Sequence, residues 1–65
     1  MRLSEDKVRE RMREAGIPSW RQLVLRSKVS FPTIQRMLRG DSFRTSSLMR
    51  LAKALGCKPE DLLEE

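Results

Sequence analysis

Residues 19–40 read SWRQLVLRSKVSFPTIQRMLRG, and the punctuation of this stretch decides the fold. Ser19 and Gln22 stand at capping-box spacing, so Ser19 can accept from the Gln22 N–H while Gln22 reaches back. A helix opening there runs to about Ser27, with Leu23 and Val24 inward, and Lys28-Val29 form the turn. Ser30 is the next N-cap candidate, and Pro32 is tolerated in the first turn because its missing N–H would be unpaired anyway. The second helix runs to Arg39 and stops at Gly40. Two helices of about eight residues cannot bury much alone, so the flanking segments must hold them.

At about 100° per residue, setting Ile34 at zero places Leu38 at about +40°, Phe31 at about +60° and Met37 at about −60°, the inward face. Gln35 then falls at about 100°, Arg39 at about 140°, Pro32 at about 160° and Arg36 at about 200°. That outward face carries two guanidinium groups and an amide. Arg can donate twice to guanine O6 and N7, Gln can pair with adenine, and apolar groups suit the thymine methyl. Phe31 lies where core packing and a thymine-methyl contact are equally open. The N-termini at Ser19 and Ser30 offer unpaired N–H groups to phosphate oxygens.

Outward from this unit the chain continues as short helices. About Ser4 to Ala15, Val8, Met12 and Ala15 share a face, Glu5 and Asp6 suit the N-terminal dipole, and Gly16 and Pro18 end the helix. Asp41 to Arg44 form a loop whose Phe43 folds back onto the core. Thr45 or Ser46 caps a fourth helix with Leu48, Leu51, Ala52 and Leu55 as its buried stripe and Gly56 as its stop. A fifth short helix starts at Pro59 and buries Leu62.

The 65 residues leave room for one small core, so residues 1–65 read as a single domain, with the Glu64-Glu65 end equally a solvated terminus or the edge of a longer protein. Charge is unevenly placed along it. Residues 1–14 carry five basic and four acidic side chains, residues 15–58 nine and one, and residues 59–65 none and four. The central block, net +8, attracts polyanions. There is no His or Tyr, and Cys57 is the only thiol, which excludes an internal disulfide and leaves too few ligands for a Cys/His zinc site. The expectation is no metal, no cofactor and no enzyme activity. Cys57, after Gly56, reads as a side chain packing back on the preceding turn. The longest strongly apolar run, Leu23-Val24-Leu25, is too short to span a membrane, and the chain suits a reducing cytoplasm.

With Leu23, Val29, Ser30, Thr33, Ile34, Arg36, Met37 and Gly40, followed by Leu48, Arg50, Leu51-Ala52-Lys53-Ala54-Leu55-Gly56 and Asp61-Leu62, the sequence resembles the phage-repressor-like helix-turn-helix family of Cro/XRE type. The likeness runs from about Val8 to Leu63. It implies an all-α, compact, five-helix lambda-repressor-like domain whose helices 2 and 3 form the helix-turn-helix. It further implies a transcription regulator binding double-stranded DNA sequence-specifically; two copies on a pseudo-palindrome would make a homodimer, and the short final helix leaves the oligomeric state open.

Carried over position by position, the resemblance puts Phe31, Pro32, Gln35 and Arg36 at base-facing positions, and Ser19, Trp20, Ser30, Arg39 and Arg44 where the family often touches phosphates. Trp20 stands in place of a common Gln and reads first as an anchor over the core. Lys28 replaces the usual turn Gly and would adopt a left-handed conformation at some cost. Phe31 and Pro32 replace polar residues, which makes direct readout poorer in hydrogen bonds and leaves a second expectation, a protein-interaction module that keeps the fold without base reading. An exposed apolar start to the helix would favour that second one.

Overall fold

A computed structural model describes residues 2–64. Helices α1 (Glu5–Glu14), α2 (Trp20–Ser27), α3 (Phe31–Arg39) and α4 (Thr45–Leu55) are followed by a 3-10 turn at Pro59–Leu62. The fifth helix is thus one tight turn rather than an α-helix. Four residues suffice for an i to i+3 bond, and Lys58 N–H donates to Asp61 Oδ2 at 3.2 Å across it.

The first three N-caps are serines. Ser4 Oγ accepts from Lys7 N–H, Ser19 Oγ from Gln22 N–H and Ser30 Oγ from Thr33 N–H. At Ser19 only this half of the capping box forms. Helix α4 starts one residue earlier than a Thr45 cap would set it and two earlier than a Ser46 cap: the N-cap is Arg44, with no side-chain cap bond. Residues 45–47 are already turning, so their hydroxyls lie inside the helix instead of ahead of it.

Packing follows the helical stripes. Val8 and Met12 of α1, Leu23 of α2, Ile34 and Met37 of α3, and Leu48, Leu51, Ala52 and Leu55 of α4 form one buried cluster with Leu3, Ile17, Val29 and Leu62. Phe43, Trp20, Leu38 and Cys57 pack against it, half-buried. Phe31, counted on the inward face by the wheel, is instead 43% exposed. Its position at the first residue of α3 lets the ring swing off the core edge.

The α2–α3 turn is built without glycine. Lys28 sits at φ 60° and ψ 26°, the left-handed region expected for it. Its N–H donates to the Val24 carbonyl at 2.8 Å. Ser27 is buried and bridges the turn, donating from Oγ to the Leu23 carbonyl at 2.7 Å and accepting from Val29 N–H at 3.2 Å.

Residues 2–4 and 62–64 close on each other. Leu3 and Leu63 form an antiparallel bridge. Ser4 N–H donates to the Leu62 carbonyl at 2.8 Å, and Glu64 N–H to the Arg2 carbonyl at 3.0 Å. Leu3 N–H donates to the Met37 carbonyl at 3.0 Å, which ties this clip to the end of α3.

Candidate nucleic-acid interface

Helix α3 presents a two-sided surface. Ile34 and Met37 are fully buried, whereas Phe31, Pro32, Gln35, Arg36 and Arg39 are all exposed. The outward positions expected from a period of 3.6 therefore face solvent. At the far end, Gly40 takes φ 89°, and Asp41 N–H closes the helix on the Arg36 carbonyl at 3.0 Å. Arg44 follows as an exposed residue of extended backbone, so Arg36 and Arg44 flank one concavity with Thr33, Ser42, Phe43 and Ser47.

The two N-termini differ in what they offer. At α2, Ser19 caps Gln22 and leaves Trp20 and Arg21 N–H without intrahelical acceptors. At α3 Pro32 has no N–H, Thr33 N–H is taken by Ser30 Oγ at 3.4 Å, and the Ser30 and Thr33 hydroxyls bond each other at 2.8 Å. Only Phe31 N–H remains there, so the anion-binding capacity expected at Ser30 is mostly spent within the cap.

Electrostatics separate the cations into two sets. In α1, Arg9 pairs with Glu5 at 2.9 Å, Arg11 with Glu14 at 3.5 Å and with Asp61 at 3.7 Å, and Arg13 with Glu10. Of the nine central Lys and Arg, Arg39 alone has an ion pair among the described residues, with Asp41 at 3.4 Å. Arg21, Arg26, Lys28, Arg36, Arg44, Arg50, Lys53 and Lys58 are exposed without one. Unpaired exposed cations keep their full field for an external anion.

Trp20 is half-buried over the core, with the Arg9 guanidinium 5.6 Å from its ring centre. Together with Arg13 and Ser19 they line a second concavity. The sequence reading does not place Arg9 and Arg13 beside Trp20; their four-residue spacing on the solvent side of α1 is the available signal, masked by the acidic neighbours that pair with them. Burial raises the Cys57 thiol above its ordinary pKa; Arg11 partly opposes this, and Asp61 and Glu14 add to it. A thiol held protonated suits packing rather than redox chemistry. No described helix is long and apolar enough to cross a membrane.

An all-helical fold with a left-handed turn between α2 and α3, and an uncovered basic face on α3, defines a helix-turn-helix DNA-binding domain. Residues 7–64 match the Cro/C1-type helix-turn-helix DNA-binding domain, and the chain belongs to that family. Its role is accordingly DNA binding in transcription regulation, and its partner is double-stranded DNA; the family is typically without catalytic activity. No curated protein and no solved structure matches the chain.

Proposed function

We propose that residues 1–65 act as one sequence-specific DNA-binding unit that lays α3 along the major groove. Arg36 and Gln35 donate to base edges, with Phe31 and Pro32 against the same edges. Arg39, Arg44, Trp20 and Ser19 line the phosphates, with the free N–H groups at the start of α2 pointed at phosphate oxygens and Ser30 contributing through its backbone environment. Two copies bind a pseudo-palindrome whose half-site centres lie about one helical turn apart, as a homodimer of a cytoplasmic regulator. The observation that carries this reading is the exposure of the arginine-bearing face of α3 above a buried Ile34 and Met37, with Arg36 free of any ion pair among the described residues.

Selection from a random duplex library at two salt concentrations tests it. The expected result is one enriched motif, with affinity at both salts well above bulk duplex. Arg36→Ala should then weaken the enriched duplex about 10- to 100-fold and relax preference at one position, while Arg39→Ala should weaken all duplexes evenly and lower the salt slope by about one. Equal, sequence-independent losses from both would defeat the assignment of roles.

The exposure of Phe31 also favours a second reading, a protein-interaction module that has lost base reading, since Leu25 and Met49 are uncovered as well. Uniform, salt-sensitive retention of all duplexes in the selection would instead point to non-specific attraction.

A further inference from the structure

The first turn of α3 is an apolar tip on a basic face. Phe31 and Pro32 are both exposed, and neither side chain has a hydrogen-bonding group. The hydroxyls beside them, on Ser30 and Thr33, are bonded to each other at 2.8 Å. The nearest outward amide is Gln35, exposed and one turn beyond Phe31. Residues at i and i+4 of a helix hold their Cβ atoms about 5–6 Å apart on one face. An apolar ring and an amide thus stand side by side.

That pair has a chemical complement in the major groove. Thymine is the one standard base that shows an apolar group there, its C5 methyl, and its partner adenine shows the acceptor and donor that a side-chain amide matches in two bonds. A T·A step therefore offers the ring and the amide what each requires. Cytosine methylated at C5 carries the same methyl at the same ring position, with the N4 donor in place of O4.

We propose that Phe31, flanked by Pro32, is a specificity-determining reader of the pyrimidine C5-methyl group, and that affinity for the operator therefore responds to cytosine 5-methylation at the position it covers. The proposal rests on the placement of α3 in the major groove given above. Covering one methyl removes about one CH2 equivalent of apolar surface from water, which corresponds to about a fourfold change in affinity.

The experiment takes the enriched duplex and replaces each thymine in turn with deoxyuridine, which removes the methyl alone. At each responsive position, duplexes with cytosine and with 5-methylcytosine are compared, all titrated against the full chain by fluorescence anisotropy. Uracil should weaken binding about fourfold at one thymine per half-site, and 5-methylcytosine should bind about fourfold tighter than cytosine there. Both differences should disappear in Phe31→Ala and in Phe31→Gln, with circular dichroism melts verifying that at least one of these variants is folded; Phe31→Leu should keep most of both. Uracil tolerated at every thymine, or a methyl effect undiminished in both polar and truncated variants, overturns the proposal and leaves an enriched operator standing. A uracil response without a methylcytosine response overturns the extension to methylated cytosine. A library that enriches nothing overturns the underlying reading itself.

Discussion

The helix-turn-helix and the terminal clip hold α3 from opposite ends by different means. At its start, the turn from Ser27 to Ser30 is made of neighbours in sequence, with Ser27 Oγ, the left-handed Lys28 and the Ser30 cap each bonding within four residues. At its end, the Met37 carbonyl accepts from Leu3, a residue 34 positions away that is itself bridged to Leu63. The first arrangement sets the direction of the recognition surface at the local expense of one strained residue. The second ties that surface to residues 2–4 and 62–64. Direction is a local property here, whereas rigidity is a long-range one.

Replacing Leu3 with Ala strikes the long-range side and has the largest expected effect. Leu3 is 1% exposed and joins the core between α3 and the 3-10 turn. Truncating a buried Leu costs about 2–5 kcal/mol, most of what a domain this small holds in reserve. Thermal melts should show a loss near the upper half of what the fold can bear, while the DNA affinity of the fraction still folded stays within about twofold. A loss under about 1 kcal/mol would mean that the Leu3 side chain adds little to the core, and the comparison would break.

Replacing Ser27 with Ala strikes the local side and has a middle-sized effect. It removes the donor to the Leu23 carbonyl and leaves the buried Val29 N–H without its acceptor, which costs about 1–3 kcal/mol, partly offset by the better helix propensity of Ala. Because the turn aims α3, binding to the enriched duplex should fall by more than the stability change accounts for, in contrast to Leu3→Ala. Equal ratios of binding loss to stability loss in the two variants would erase the distinction between direction and rigidity.

What could be read from the sequence divides along the same line. Serine caps at 19 and 30, the left-handed ends at Gly16, Gly40 and Gly56, and the stripe Leu48, Leu51, Ala52, Leu55 are all decided within one or two turns, and the structure has them. The exposure of Gln35, Arg36 and Arg39 follows from the same periodicity. The burial of Leu3 does not, because its partners lie more than 30 residues away and its bonds are made by backbone atoms that any residue possesses. Ile17, flanked by Gly16 and Pro18, reads as loop yet is 4% exposed. Phe31 was undecidable for a different reason: at the edge of the apolar arc and on the first residue of a helix, its direction is set by the packing of neighbours and not by spacing. For the candidate site, the unpaired state of the central cations was foreshadowed by their excess over acids. The mutual bond of Ser30 and Thr33, which occupies part of the polar capacity at the tip of α3, was not.

The smallest predicted effect sharpens the local half of the comparison. Lys28 at φ 60° places a Cβ against its own carbonyl, at a cost of about 1–2 kcal/mol for an L residue. Glycine removes that strain but frees the unfolded chain, returning about 0.4–1 kcal/mol. Lys28→Gly should therefore stabilise the domain by about 0.5 kcal/mol and raise its melting temperature by about 2–4 °C. Lys28→Ala separates the Cβ from the charge: it keeps the strain, so it should show no gain, while both variants lose the same positive charge and any salt-dependent attraction carried by it. If Ala stabilises as much as Gly, the benefit comes from relieving charge repulsion in the basic block. The turn would then be unstrained, and the direction of α3 would be set by the buried Ser27 bridge alone.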